Sequence, residues 1–303
     1  MISFVNAKLN IGLYITRRRP DGYHDLETLF YPVGLYDGTP VAPEGGAPFC
    51  DILEITPSET AAADRFMFLG RKVDCPPEKN LVCRAVSLFR SELAEESAGA
   101  GVFSRLPEGV DVTLIKNLPD GAGLGGGSAD ASFTLRLLNE LTAKPFSAGR
   151  LEEMALRLGA DCPFFIRNRP AFASGVGDLL EESSLSLAGR WAVVAKPHVY
   201  VSTREAFANI SPRPASFDLR RLGEFAPSEW RGLGVANQFE ETLFPLHPVL
   251  ADIKQALYDR GAEYASMSGS GAALYGIFPD EPSARVAFES MPSTLEGVWL
   301  LKL

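Results

Sequence analysis

The stretch that most constrains this chain is LPDGAGLGGGS, residues 118–128, which places Gly121, Gly123, Gly125, Gly126 and Gly127 within seven positions. Glycines at this density allow positive φ and let backbone N–H groups approach a ligand closely. Behind the loop, Ala131, Leu135 and Leu138 recur at helical spacing, so the loop empties into the N-terminus of an amphipathic helix. Free N–H groups and the helix dipole favour an anion there. Ahead of the loop, Val110, Val112 and Leu114 alternate with Asp111 and Thr113, a strand that delivers Lys116 to its edge. Strand, glycine loop and helix in this order predict a polyphosphate site.

Several chemistries are excluded. The loop lacks the GK[ST] ending of a P-loop. It fits GxGxxG at Gly121, Gly123 and Gly126, but the acidic residue a dinucleotide fold wants after the next strand is missing, Glu140 lying inside the helix. No HRD, DFG, HExxH or GxSxG motif is present, and His198 and His247 read as structural. A net charge of −9 argues against nucleic-acid and anionic-membrane partners, which require a basic face. Cys50, Cys75, Cys83 and Cys162 have neither zinc spacing nor a disulfide framework and are expected to be reduced, buried thiols. With no signal pattern, and no apolar run near the ~18 residues of a membrane span, the cytoplasm is the expected compartment.

From Phe4 to Ile15 the alternation is clean, with Val5, Ala7, Leu9, Ile11, Leu13 and Ile15 on one face and Asn6, Lys8, Asn10, Gly12 and Tyr14 on the other. This predicts a half-buried strand whose polar comb faces either a cleft or water. Pro20, Asp21 and Gly22 signal a turn carrying Arg17, Arg18, Arg19, Tyr23 and His24, and Leu26 to Val33 resumes as a strand. Residues 38–50 read as a loop, followed by a short strand near Ile52 to Ile55. Asn80 caps a helix marked by Leu81, Ala85, Leu88 and Phe89. Leu151, Met154, Ala155 and Leu158 write another helix, ended by Gly159, with Pro163 barring continuation; Asp161 just beyond is by position a turn carboxylate. The second half begins at 171–177; strands are expected at 191–195, 273–278 and 298–303, and helices near 203–210, 248–258 and 283–290. Residues 211–235 carry no readable pattern, and SMSGSG at 266–271 is a second small-residue loop.

Taken together, NAKLNIGLYITRRRPDGYHDLETLF, LPDGAGLGGGSAD, LGADCPFF and SMSGSGAALYGIF resemble the three-motif signature of the GHMP kinase superfamily. The AKLN…RPDGYH segment is similar to the branch acting on a cytidine-diphosphate-linked methylerythritol in the non-mevalonate route to isoprenoids. The resemblance implies an α/β (α+β) fold of two domains, 1–170 and 171–303, with the active site in the cleft between them. It implies ATP as co-substrate, transfer of the γ-phosphoryl group to the 2-hydroxyl, Asp161 as general base and Lys8 as the cation beside it. Asn10 would hold Asp161 or the substrate. Asn80, Leu81 and Lys116 match positions around the adenosine, and Pro119, Asp120, Gly121, Ala122, Gly123, Leu124, Gly125, Gly126, Gly127, Ser128 and Ala129 would wrap the phosphates. Tyr23 and Phe207 would sandwich the cytosine, with His24 bonded to it and Thr203 near the ribose or diphosphate. Ser268, Gly269, Ser270 and Gly271 would close the site. Asp120 and Ala122 depart from the pattern, where an apolar residue and a further glycine are expected; Asp120 should point away or help hold Mg²⁺. No acidic metal cluster is evident, so Mg²⁺ travels with ATP. A homoserine or mevalonate kinase, or a silent nucleotide- or RNA-binding relative, are the alternatives, and the assembly is a monomer or homodimer.

Overall fold

The computed structural model describes residues 1–41, 48–58, 63–72, 75–100 and 106–303. It divides into two compact units. Met1–Ala7, Cys50–Asp120 and Gly125–Asn168 form the first; Lys8–Phe49, Gly121–Leu124 and Arg169–Leu303 form the second. Both are discontinuous, because the long strand Ile2–Arg18 begins in one and ends in the other and because Gly121–Leu124 of the glycine loop belongs to the second.

In the first unit, strands Arg65–Gly70, Val110–Lys116, Cys50–Pro57 and the start of Ile2–Arg18 are neighbours in that order. The outer pair is parallel, with Phe66 opposite Val112. The others are antiparallel, Ile55 facing Val112 and Val5 facing Asp51. Strand Val110–Lys116 buries every second residue, as its alternation predicts. Helix Gly126–Leu141 packs on strand Cys50–Pro57 and against helices Leu81–Ala100 and Cys162–Arg167. Asn80 begins helix Leu81–Ala100 in the expected way, its Oδ1 accepting the Val82 N–H at 2.9 Å.

In the second unit, the rest of Ile2–Arg18 is followed by His24–Val33, Ala171–Ser174 and Leu179–Glu182. A separate antiparallel sheet runs Tyr264–Met267, Leu274–Phe278, Trp191–Lys196, Gly297–Lys302. Helices Pro248–Asp259 and Glu281–Glu289 lie against it, and a core including Ile15, Val193, Phe239, Leu257, Leu274 and Phe278 fills the space between.

Several expectations change. Strand Ile2–Arg18 is buried on both faces over its middle, so the polar comb meets protein rather than water. Pro163 does not simply end a helix: it occupies the first turn of Cys162–Arg167, where a missing N–H costs nothing, and Asp161 is the N-cap residue of that helix. Residues 211–235 hold a 3-10 turn, Leu219–Glu224, and a short helix, Pro227–Trp230, whose tryptophan is fully buried. Of the expected 38–50 loop, Thr39–Pro40 pairs with Leu35–Tyr36, while 42–47 lie outside the described residues.

Leu257 is fully buried in this core, whereas Val286 on helix Glu281–Glu289 is 64% exposed. Leu257→Ala should therefore cost about 2–5 kcal/mol in a urea titration, while Val286→Ala stays within about 0.5 kcal/mol of the parent.

Candidate active site

The glycine loop carries a backbone arrangement suited to an anion. Gly125, at φ 73°, is the N-cap of helix Gly126–Leu141, a conformation that favours glycine, and no side chain caps the helix. Its first-turn N–H groups, which lack intrahelical partners, are thus left for a ligand. The carbonyls of the same stretch are turned into protein. Ala122 O accepts from Ala273 N at 3.1 Å, Leu124 O from Lys8 N at 2.9 Å and Gly125 O from Ala129 N at 2.8 Å. Gly123 O accepts from the Ser268 hydroxyl at 2.8 Å. At Gly123 a side chain is excluded, since a Cβ would stand 1.9 Å from Ser268 O.

Within the first unit, Lys116 is buried and its ammonium bonds Asp51 Oδ2 and, at 2.7 Å, Asp130 Oδ2. Asp51 Oδ1 accepts the Asn117 and Leu118 N–H groups at 2.6 and 2.8 Å. Burial raises the Asp130 carboxyl; the Lys116 charge opposes the rise and Asp51 reinforces it. A cavity of about 240 Å³ is lined by Asn80, Leu81, Lys116, Asp120 and Gly127, five residues of the expected ATP set. Asp120 itself is exposed, whereas Pro119 and Ala129 are buried.

Asp161 is half-buried at the start of helix Cys162–Arg167. The next residue is anchored to the glycine-loop helix, because the Ser132 hydroxyl donates to Cys162 O at 2.7 Å. The Cys162 thiol is pushed up to about 11, by burial above all, against a lowering hydrogen bond from Ser128, and so stays protonated.

Within the second unit, Lys8, Asn10, Gly123 and Ser268 are brought together. The Lys8 ammonium donates to Asn10 Oδ1 and lies 5.0 Å from the Phe30 ring centroid. Asn10 Nδ2 donates to Thr28 Oγ1 at 3.0 Å, and Asn10 N to Ser268 Oγ at 3.2 Å. Asn237 Nδ2 shapes the second small-residue loop by donating to Met267 O at 2.8 Å and Gly269 O at 2.7 Å. Gly271 N closes it onto Ser268 O at 2.9 Å, and Ser270 remains partly exposed. Tyr275 donates its hydroxyl to Asn10 O at 2.8 Å.

Of the residues expected to hold the cytosine, His24 and Phe207 meet directly, stacked with centroids 4.9 Å apart and planes at 25°. Phe207 in turn stands edge-on to Phe239. Tyr23 is 66% exposed. Thr203 opens helix Thr203–Ala208, which Ser202 caps through a 3.1 Å bond from Glu205 N. The Tyr200 ring lies against Gly121, where a Cβ would come within 2.8 Å of it.

Residues 80–169 match the GHMP kinases N terminal domain, and residues 204–297 match the GHMP kinases C terminal region. A 4-diphosphocytidyl-2-C-methyl-D-erythritol kinase of Bacteroides thetaiotaomicron is 45% identical over 284 residues, covering 93% of each chain. The chain belongs to the GHMP kinase family. Among kinases of the same name, that of Bacteroides fragilis is 43% identical over 293 residues, covering 96% of this chain and 97% of its own. A crystal structure of 4-(cytidine 5'-diphospho)-2C-methyl-D-erythritol kinase superposes with a TM-score of 0.75 at 32% identity, covering 99% of this chain and 98% of that one. A homoserine kinase from Cytophaga hutchinsonii, at TM-score 0.67 and 17% identity over 100% and 95% of the chains, shares the fold. As a GHMP kinase, with the two-domain fold of that family, the protein is an ATP-dependent phosphotransferase.

Reading the sequence of this GHMP kinase missed Asp51, Asp130, Thr28 and Asn237. The available signal for Asp51 was an aspartate inside the apolar strand CDILEI, a residue that burial tolerates only with partners. Burial first, and then the Arg18 charge, lower the His24 pKa below its usual 6.5, so its ring is neutral at pH 7. An imidazole NMR titration should place the His24 midpoint below 6.5, and Arg18→Gln should raise it by removing a like charge. A midpoint at or above 6.5 would contradict the burial account.

Proposed function

We propose that this kinase transfers the γ-phosphoryl group of ATP to the 2-hydroxyl of 4-diphosphocytidyl-2-C-methyl-D-erythritol, a step of the non-mevalonate route to isoprenoid precursors. The observation that carries the acceptor is the 45% identity, over 93% of both chains, to a relative of that name. Structures of homoserine and mevalonate kinases, at 17% and 12% identity, share only the fold.

The uncapped N-terminus of helix Gly126–Leu141 and the loop before it receive the phosphates. The adenosine lies in the cavity at Asn80, Leu81 and Lys116. Lys8, oriented by Asn10, supplies a fixed positive charge for the transferring phosphoryl group. Asp161 takes the proton from the acceptor hydroxyl as its oxygen attacks phosphorus and ADP departs. Tyr23 and Phe207, the latter stacked on His24, flank the cytosine, with His24 bonded to the base and Thr203 near the ribose or diphosphate. Among the described residues no group of three His, Cys, Asp or Glu is disposed to hold a metal. Mg²⁺ enters in this reading as the counter-ion of ATP, with mostly water ligands. No described helix is long and apolar enough to cross a membrane; the proposed enzyme is cytoplasmic, a monomer or homodimer.

Purified protein with MgATP and each candidate acceptor, followed by ADP release, tests the assignment. Turnover should be confined to the cytidyl substrate, and faster turnover of homoserine or mevalonate would overturn it. Lys8→Met and Asp161→Asn should each lower kcat by about 10²–10⁴ with the fold intact by circular dichroism.

A further inference from the structure

The two ends of the glycine loop are fastened to one buried cluster of three side chains. Asp51 is fully buried in strand Cys50–Pro57 and accepts with one oxygen from Asn117 N and Leu118 N, where strand Val110–Lys116 becomes loop. With the other it holds the Lys116 ammonium, which also holds Asp130, one turn into helix Gly126–Leu141. Gly126, the first residue of that helix, passes so close that a Cβ there would lie 3.4 Å from Lys116 Nζ. Entry and exit of the loop are thus referred to the same ammonium.

From this geometry we infer that Asp51 and Asp130, acting through Lys116, are positioning residues that hold the glycine loop at the span a nucleoside triphosphate requires. Stability alone is a weak reason for such a cluster. Buried ion pairs lose in desolvation about what they gain in attraction, and apolar replacements of similar volume are often neutral or better. Here two carboxylates share one ammonium, and Asp130 Oδ1 is buried without a hydrogen-bond partner. What the arrangement does provide is direction. A carboxylate that spans two successive backbone N–H groups and an ammonium fixes the path of three residues, and a charge bridged to a helix fixes where that helix starts. Phosphate binding to N–H groups depends steeply on that placement.

The inference rests on the glycine loop being the phosphate site for ATP, so the experiment separates the two. Amide hydrogen exchange on wild-type enzyme should show residues 118–130 protected by a non-hydrolysable ATP analogue. No protection there would overturn the placement of ATP and the clamp with it. Asp51→Asn keeps an oxygen for the two N–H groups but turns a donor towards Lys116; Asp130→Asn removes the second charge at constant shape. Each should raise the KM for ATP about tenfold, leaving the acceptor KM unchanged and kcat at saturating ATP within about threefold. A merely structural role would lower the active fraction, and so kcat, without moving the KM for ATP. Protection in the wild type with an unchanged KM for ATP in the folded variants, or equal rises for both substrates, would overturn the clamp alone. Should Asp51→Asn fail to fold by circular dichroism, Asp130→Asn decides.

Discussion

A strand buried on both faces can carry Asn, Lys and Asn only if every polar group finds a partner, and that requirement governs how this chain is put together. Asn6, Lys8 and Asn10 are 1%, 3% and 2% exposed. Each group left unpaired would cost about 1–3 kcal/mol. Asn6 is met by Asn168 in two reciprocal bonds of 3.0 and 2.8 Å, and Asn168 is the left-handed residue ending helix Cys162–Arg167. Asn10 is met by Thr28, whose hydroxyl passes a 2.6 Å bond on to Gly12 O, and by Ser268. The comb therefore specifies the end of one helix, the register of the neighbouring strand and the course of the 266–271 loop. Lys8 owes its position to that network, since its ammonium is oriented by an amide that Thr28 itself holds.

The same accounting explains the glycine loop. Four successive carbonyls, from Ala122 to Gly125, are spent on protein donors. Gly121, Gly123 and Gly125 hold positive φ at alternate positions, a backbone of the kind that forms anion-binding nests. Ser268 matters because one hydroxyl accepts from the strand at Asn10 N and donates to the loop at Gly123 O. The second small-residue loop thus acts on the glycine loop through backbone atoms, which is why its composition rather than its charge is distinctive.

Legibility in the sequence followed distance along the chain. Strand Val110–Lys116, the glycine loop and the helix behind it are local patterns, and they appear where the periodicity places them. The strand Ile2–Arg18 was legible as a strand but not as a buried one. A comb facing water and a comb facing partners alternate identically, and the partners Thr28, Asn168 and Ser268 are remote in sequence. Helix Cys162–Arg167 has six residues, too few for a 3.6-residue period to register. Edge strand Arg65–Gly70 escaped because Met67 and Leu69 are 56% and 45% exposed, so its apolar run marks no buried face. The motifs named the family; the side-chain network that gives them their geometry, centred on Asp51 and Asn10, came only from the fold.

The glycines themselves, similar in the sequence, divide once their surroundings are known. Gly123 is demanded by the approach of Ser268 O, a reason inside the protein, whereas a Cβ at Gly126 would meet the Lys116 ammonium at 3.4 Å, still an ordinary contact. Gly127 has no such reason. It is exposed, sits in regular helix, lines the cavity with Asn80 and Lys116, and a Cβ there would meet only Leu81 Cδ1 at 3.9 Å, an ordinary contact. Glycine within a helix costs about 0.5–1 kcal/mol relative to alanine. On the ATP reading that cost is offset by what binds: a phosphate drawn against the helix N-terminus comes to the backbone at a position where the protein itself leaves room for a side chain.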